Sequence, residues 1–168
     1  ADIEVNNLII KKISNLTPNI KIVSEETSSN KKNKSLNDFW LIDPIDGTYG
    51  YIHAKDEFTV NASLILNKKP IAGIINAPSK GRLFYSFGSS NSYEMYNDSK
   101  IKLTCKKKSN QSEISAISYS NNLKPKIVEL HKKYNITNST KMKSSLKFCV
   151  IASGEYDFYA AEPRAHEW

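Results

Sequence analysis

The chain has 168 residues, of which 39% are hydrophobic and 10% aromatic, and its 24 lysines and arginines against 17 acidic residues give it a net charge of +7. This length and apolar content exclude a disordered chain, and no apolar run approaches the ~20 residues that cross a bilayer, so we expect a soluble globular protein. The two cysteines, Cys105 and Cys149, follow no metal-binding or redox spacing, and we interpret both as reduced thiols of a cytosolic protein, with Cys149 in the core.

The first predicted element is an amphipathic helix near the start of the chain. Apolar residues recur there at the spacing of one helical face. They are Val5, Leu8, Ile9, Ile13 and Leu16. Asp2 stands ahead of this stripe, where its default role is an N-cap, and the run Thr17-Pro18-Asn19 ends the helix.

A predicted strand from Ile20 to Ser24 follows and leads into two acids, Glu25 and Glu26. The lysine-rich segment from Ser28 to Asn37 then predicts a solvated loop. Because no aromatic residue is interleaved with these lysines, the basic charge of the chain does not predict a nucleic-acid-binding surface.

The next stretch places an apolar strand directly before two carboxylates, Asp43 and Asp46. Phe39 to Ile42 predict a short buried strand, and we expect Pro44 to end it because proline has no N–H to donate to a sheet. The two carboxylates stand three residues apart across the resulting turn, so both can converge on one point.

This arrangement predicts a site for a hard cation beside an anion. Carboxylates held close together repel each other unless a cation lies between them, and oxygen ligands select Mg²⁺, Mn²⁺ or Ca²⁺. The Ile45 carbonyl is expected to face the same point. Gly47 would let the backbone approach a bound anion, and Thr48 offers a hydroxyl where a helix could start.

The alternative for two aspartates at this spacing is an Asx turn that merely ends a strand. The distribution of charge favours the cation site, since seven of the 17 acidic residues fall between Glu25 and Glu57 in a chain that is basic overall. A local acidic island in a basic protein is typical of a divalent-cation site.

Beyond the motif, alternating β-formers predict a sheet and then an α/β unit. The predicted strands are Thr59 to Leu66, Ile71 to Ala77, Arg82 to Phe87, Tyr93 to Tyr96 and Ile101 to Cys105. Hairpin-length turns separate them, so we expect an antiparallel meander. A strand from Ile114 to Tyr119 and helices from Pro125 to Tyr134 and from Leu146 to Ser153 follow. We therefore divide the chain into a metal-binding α+β part, residues 1–108, and an α/β part, residues 109–168.

Four stretches, in this order and at these spacings, resemble the inositol monophosphatase superfamily. They are Ser24-Glu25-Glu26, Trp40 to Thr48, Glu57-Phe58-Thr59-Val60-Asn61 and Ser144-Ser145-Leu146-Lys147-Phe148. The Asp-Pro-Ile-Asp-Gly-Thr element is specific to the superfamily, and the last two stretches are most similar to 3′(2′),5′-bisphosphate nucleotidases of the CysQ type.

The resemblance implies a fold, a place in metabolism and a location. The fold would be the layered αβαβα sandwich of the sugar phosphatases, here incomplete. The protein would be a cytoplasmic enzyme of sulfur metabolism, and a peripheral association with the cytoplasmic face of the inner membrane is a further expectation. The resemblance implies no nucleic-acid partner and leaves the oligomeric state open.

The resemblance also implies two or more Mg²⁺ ions, which Mn²⁺ could replace. Glu25 and Asp43 would hold one ion together with the Ile45 carbonyl, and Asp43 and Asp46 would hold a second. The phosphoryl group would pass directly to water, oriented by Thr48 and Glu25, with no covalent nucleophile.

Further roles follow from the same resemblance. Asp2 would accept a hydrogen bond from Thr48 and help to orient the water. Ser144, Ser145 and Lys147 would contact the part of the substrate beyond the reacting phosphate. The phosphate subsite itself would be formed by Glu25, Ile45, Asp46, Gly47 and Thr48.

The resemblance is incomplete in two places. Lys143 stands where the family has a glycine, and the chain stops at Trp168, where the family continues with an aspartate of the second metal site and a helix. The chain thus looks truncated at both ends.

Three functions remain open for such a chain. The first is a Mg²⁺-dependent phosphatase that converts 3′-phosphoadenosine 5′-phosphate to AMP and phosphate. The alternatives are an inositol monophosphatase-like sugar phosphatase and a non-catalytic remnant of the family. Because the aspartate expected after Trp168 is absent from the sequence, we expect this chain to be a poor enzyme or an inactive fragment of one.

Overall fold

The computed structural model describes residues 1–27, 36–105 and 113–162. The lysine-rich loop around Lys31, the proposed boundary at residues 108 and 109 and the terminal Trp168 lie outside the described residues, so the division into two parts stays a prediction. No helix in the described ranges is long and apolar enough to cross a membrane.

The larger of two sheets has seven strands in the order β1-β2-β3-β4-β5-β6-β7. Their bounds are Lys21–Ser24, Phe39–Asp46, Thr59–Leu66, Lys69–Ala77, Arg82–Phe87, Ser92–Tyr96 and Ser99–Lys102. β1 pairs with β2 in parallel, and every later neighbouring pair is antiparallel. The predicted meander is confirmed, although the last strand ends at Lys102 and not at Cys105.

The smaller sheet has three parallel strands in the order β10-β8-β9. These strands are β8 (Ala116–Ser118), β9 (Ser139–Lys141) and β10 (Phe158–Tyr159). Helix α3 (Pro125–Lys133) connects β8 to β9, and helix α4 (Leu146–Ala152) connects β9 to β10. Parallel neighbours need such crossovers, and the predicted α/β unit is confirmed.

The predicted helix α1 is present (Asp2–Leu16) and packs on strand β2, but its buried residue is Asn6, and Leu8 and Leu16 of the predicted apolar stripe are exposed. The prediction that Asp2 is the N-cap is wrong. Ala1 occupies that position, no side chain caps the helix, and Asp2 is the first helical residue. Its carboxylate instead lies in the first turn, where negative charge is favourable to the helix dipole.

One buried cluster joins the two sheets. It consists of Ala77, Phe84, Ile117, Leu146, Cys149 and Val150. Ala77 and Phe84 come from β4 and β5, whereas the other four residues come from β8 and α4. The large sheet and helix α4 therefore share a core, which fixes the start of α4 relative to strand β2.

Candidate active site

Strand β2 does not end at Pro44 as the sequence predicted, but continues to Asp46. Its register against β3 changes on the way, since Asp43 lies opposite Asn61 and Asp46 lies opposite Thr59. Three steps along β2 thus match two steps along β3, which is a β-bulge. Proline is tolerated in a bulge because no ladder hydrogen bond needs its nitrogen.

The bulge decides which way the two aspartates face. Residues three apart in a regular strand point to opposite faces of the sheet. Asn61 and Thr59, two apart on β3, share one face, and their partners Asp43 and Asp46 therefore share that face too. The convergence predicted from a turn is produced by a bulge.

Glu25 joins Asp43 from the neighbouring strand. The backbone N–H of Glu25 donates to the carbonyl of Ile42 at 3.1 Å, which extends the pairing of β1 with β2 by one residue. Asp43 is only 7% exposed, whereas Glu25 lies at the solvent side. The two carboxyl groups lie within hydrogen-bonding reach of each other.

This pairing makes a charged Asp43 unfavourable. Burial, and after it the charges of Asp46 and Glu25, raise the pKa of Asp43 to about 8. Its Oδ1 atom is buried and has no hydrogen-bond partner among the residues that the structure describes. A buried acid with an unpartnered oxygen beside a second acid requires a proton or a cation, so this pair fits a divalent metal ion.

The Asp46 carboxylate, unlike that of Asp43, is fixed by hydrogen bonds from the protein. Its Oδ2 atom accepts a hydrogen bond from the backbone N–H of Ser145 and a long one, 3.4 Å, from the Thr59 hydroxyl. The Ser145 hydroxyl donates to Oδ1 of Asn61 at 2.8 Å and lies 2.7 Å from that of Thr59. Asp46 thus links the motif to the residue before helix α4.

In the described ranges no group of three His, Cys, Asp or Glu side chains is close enough to form a metal site by itself. The carboxyl oxygens available for a cation at this point are those of Glu25 and Asp43, while one oxygen of Asp46 is taken up by Ser145. The donor set is purely oxygen, which suits Mg²⁺ or Mn²⁺.

Gly47 and Thr48 form the turn from β2 into the short helix α2 (Thr48–Ile52). Gly47 has φ of 90°, and a β-carbon there would lie 2.7 Å from the carbonyl oxygen of Glu57, so only glycine fits. The Thr48 hydroxyl donates to the Ile45 carbonyl at 3.0 Å. Its single proton is therefore not given to Asp2, and the hydrogen bond expected between those two side chains is not formed in this structure.

Ser144 and Ser145 lie beside Gly47 and Asp46 of the motif, and Lys147 follows them in the first turn of α4; their contact with substrate stays a prediction. Ser144 is fully buried, and its hydroxyl has no hydrogen-bond partner within the described part of the chain. The Lys147 ammonium donates to the carbonyls of Lys143 and Ser144 at 2.8 and 3.0 Å, and the side chain is half-buried. Lys147 is therefore not an ordinary solvent-exposed lysine of a helix.

Sequence reasoning did not assign Thr59 and Asn61 to the site. Both side chains contact Ser145, and Thr59 is fully buried. The sequence did offer a signal: Thr59 and Asn61 stand two residues apart on a predicted strand next to the motif, so both polar side chains point to the same face of the sheet. The same two residues stand in the Glu57 to Asn61 stretch, so that stretch contributes to the site as well as to the resemblance.

A cavity of about 410 Å³ opens beside these residues, between the large sheet and α4. Asp43, Asn61 and Ser145 contribute to its wall, together with Phe84 and Phe148. Most of the wall is apolar, so the polar groups of the site border a largely hydrophobic space.

Comparisons with known proteins give one consistent answer. The model of the inositol monophosphatase family matches residues 1–168. The chain is 36% identical over 169 residues to a 3′(2′),5′-bisphosphate nucleotidase CysQ from Buchnera aphidicola, covering all of this chain and 63% of that protein. It is 30% identical over 172 residues to the protein of the same name from Haemophilus influenzae, of which it covers 64%.

Among solved structures, CysQ from Bacteroides thetaiotaomicron, a bacterial member of the inositol monophosphatase family, is similar with a TM-score of 0.77 and 26% identity. The match covers 93% of this chain and 64% of that one. The chain thus spans slightly less than two thirds of the length of the relatives that it matches.

Proposed function

Because this chain belongs to the inositol monophosphatase family, we propose that it carries the site of a metal-dependent phosphatase acting on a nucleotide with phosphates at its 3′ and 5′ positions. The observation that carries the proposal is the buried Asp43 carboxyl group, paired with Glu25 and left with an unpartnered oxygen. The substrate class rests on the names of the relatives, which are bisphosphate nucleotidases.

We assign the metal-binding role to oxygen atoms of the motif. Glu25, Asp43 and the Ile45 carbonyl would hold one divalent cation, and Asp43 with the remaining oxygen of Asp46 would contact a second. Bound cations supply positive charge that stabilises the phosphoryl oxygens during transfer. The family is generally metal-dependent, and Mg²⁺ is its usual ion.

The residues around the motif would position the reactants. Thr48 already uses its proton on the Ile45 carbonyl, so its oxygen keeps lone pairs that can accept a hydrogen bond from the attacking water. Gly47 lets the backbone approach the phosphate without a β-carbon. Glu25, which is exposed at the solvent side of the acid pair, would take up the proton that the water loses.

In the reaction the water oxygen forms a bond to phosphorus while the bond to the ester oxygen breaks, and that oxygen gains a proton. With 3′-phosphoadenosine 5′-phosphate the products are AMP and phosphate. Ser145 would face the substrate beyond the reacting group, since it lines the cavity next to Asp46, whereas Ser144 is fully buried beside Gly47. Asp2 has no part in this scheme, because the Thr48 proton is already donated elsewhere.

The proposal is tested by measuring phosphate release from 3′-phosphoadenosine 5′-phosphate with Mg²⁺ present and after its removal by EDTA. Release should require the metal and should be lost in Asp43→Asn, while the exposed Asp56→Asn variant should behave like the unmodified chain. Absence of metal-dependent release, together with absence of Mn²⁺ binding in calorimetry, would overturn the proposal.

A further inference from the structure

We propose that Lys147 is a positioning residue that holds the Ser144–Ser145 turn against Asp46, and that this role does not depend on a contact with substrate. The inference deepens the proposed function, on whose site it rests. It differs from the role that the resemblance implies, in which the ammonium group binds the substrate beyond the reacting phosphate.

The hydrogen bonds of the ammonium group carry the first step. Lys147 donates through Nζ to the carbonyl of Lys143 at 2.8 Å and to that of Ser144 at 3.0 Å. An ammonium group has three donors, so two of them are already committed to the backbone of the preceding turn. Side chains on a helix point toward its N-terminus, which lets Lys147 reach back to these carbonyls from the first turn of α4.

The Lys147 ammonium is also partly shielded from solvent, which is the second step. Its Nζ lies 4.7 Å from the ring centre of Phe148 and 5.7 Å from that of Tyr159, so aromatic side chains take up part of the space around the ammonium. Burial lowers the pKa of Lys147, and the negative charge of Asp46 opposes that effect. A cation is also unfavourable at the first turn of a helix. The two carbonyls and Asp46 offset these costs.

The position of the turn carries the third step. The backbone N–H of Ser145 donates to Asp46, and its hydroxyl donates to Asn61. Ser145, whose N–H binds the Asp46 carboxylate, thus directly follows Ser144, whose carbonyl accepts a hydrogen bond from Lys147. Replacing the ammonium by an apolar group would leave the Lys143 and Ser144 carbonyls without this donor, and the turn would move more freely relative to Asp46.

Amide hydrogen exchange in the metal-free chain tests the inference without using activity. In Lys147→Met we expect the Ser145 amide to exchange at least about tenfold faster, while the amide of the fully buried Ile117 keeps its protection. Lys147→Gln retains N–H donors without charge and should restore most of the Ser145 protection. Lys132→Met, at an exposed position of α3, is the matched control and should change neither amide.

An unchanged Ser145 amide in Lys147→Met would overturn the inference. If that variant also loses protection at Ile117, the Gln variant decides: it must fold and protect Ser145, and failure to do so would overturn the inference as well. Because no metal or substrate is present, these outcomes are independent of whether the proposed phosphatase activity is found.

Steady-state kinetics separate the two roles of Lys147. A positioning role predicts that Lys147→Met lowers kcat to a similar extent for a substrate with one phosphate and for one with two, with partial rescue by Gln. A direct contact with the second phosphate predicts instead a raised KM for the bisphosphate alone, equal in the Met and Gln variants, and that result would contradict the positioning role.

Discussion

The Asp46 carboxylate accepts a hydrogen bond from the backbone N–H of Ser145, which lies 99 residues farther along the chain. This contact joins the end of strand β2 to the start of helix α4. One oxygen of Asp46 is therefore directed at the protein and only the other is available to a ligand. The candidate site is built where the large sheet meets the smaller α/β unit.

Asp43→Asn should weaken Mn²⁺ binding at least about tenfold, since even outer-shell changes at metal sites have effects of that size. The same substitution should not lower the melting temperature of the chain in EDTA, because it removes a buried acid whose Oδ1 has no partner. Calorimetric titration and thermal unfolding measure the two effects. Unchanged Mn²⁺ affinity would refute the assignment of Asp43 as a ligand.

The second prediction concerns substrate preference. We expect a higher kcat/KM for 3′-phosphoadenosine 5′-phosphate than for inositol 1-phosphate, because the stretches around Thr59 and Ser145 that resemble the nucleotidases form part of the site. Phosphate release from both compounds, measured side by side with the same preparation, checks this. A preference for inositol 1-phosphate would favour the sugar phosphatase alternative.

Gly47→Ala should destabilise the chain by more than about 2 kcal/mol, because a left-handed backbone costs an L-residue ~1–2 kcal/mol and the new β-carbon would also collide with the Glu57 carbonyl. Gly81→Ala is the matched control. Gly81 has φ of 61° but open space around it, so only the cost of about 1 kcal/mol for the backbone should appear. Urea unfolding measures both, and equal losses would contradict the predicted collision.

The pH dependence of stability should report the ion pair between Arg82 and Glu155. Hydrogen bonds from Arg82 lower the pKa of Glu155 below its ordinary value of 4.5. Its charge therefore stabilises the fold fully above that value, and the contribution is lost as the pH falls through the lowered pKa. Glu155→Gln should be less stable than the unmodified chain at pH 7, and the difference should shrink toward pH 3.

Urea unfolding at several pH values checks this prediction, with Glu129→Gln, at an exposed site on α3, as the control. We expect a loss of about 1 kcal/mol at most for Glu155→Gln at pH 7, because Glu155 is 43% exposed and solvent screens such pairs. A stability difference that stays the same from pH 7 to pH 3 would show that the pair does not act through the Glu155 charge.

The two cysteines should differ in reactivity. Burial, with a smaller effect of the Glu94 charge, raises the pKa of Cys149 to about 12, so the thiol is neutral and shielded in the folded chain. Iodoacetamide should label the exposed Cys105 in native buffer and Cys149 only in urea. Mass spectrometry of the labelled peptides measures this, and rapid native labelling of Cys149 would contradict the core assignment.

Local patterns in the sequence predicted most of the regular elements. The amphipathic stripe gave helix α1, and the alternating β-formers between Thr59 and Tyr96 gave four antiparallel strands. The element types followed from these periods, but the burial did not in α1, where Asn6 is buried and Leu8 and Leu16 of the apolar stripe are exposed. Strands β9 and β10 were not predicted, because three and two residues are too few for a period to show.

Local rules failed at two positions, Pro44 and Asp2. Pro44 was expected to end a strand, but pairing with β1 extends only to Ile42 and the bulge against β3 removes the need for a donor at Pro44. Asp2 was expected to cap α1, but the helix begins at Asp2 itself. The first error comes from a bulge formed with a distant strand, whereas the second is a shift of the helix start by one residue.

The sequence by itself determined the chemistry available to this protein: oxygen donors gathered in an acidic segment of a basic chain, a glycine and a hydroxyl after them, and two serines and a lysine far downstream. Only the tertiary structure decided how these groups face one another. The bulge in β2 turns Asp43 and Asp46 to one face, and the shared core brings Ser145 onto Asp46. The chemical type of each side chain is fixed by the amino acid at that position. The direction and burial of the side chain depend on contacts between residues far apart in the chain.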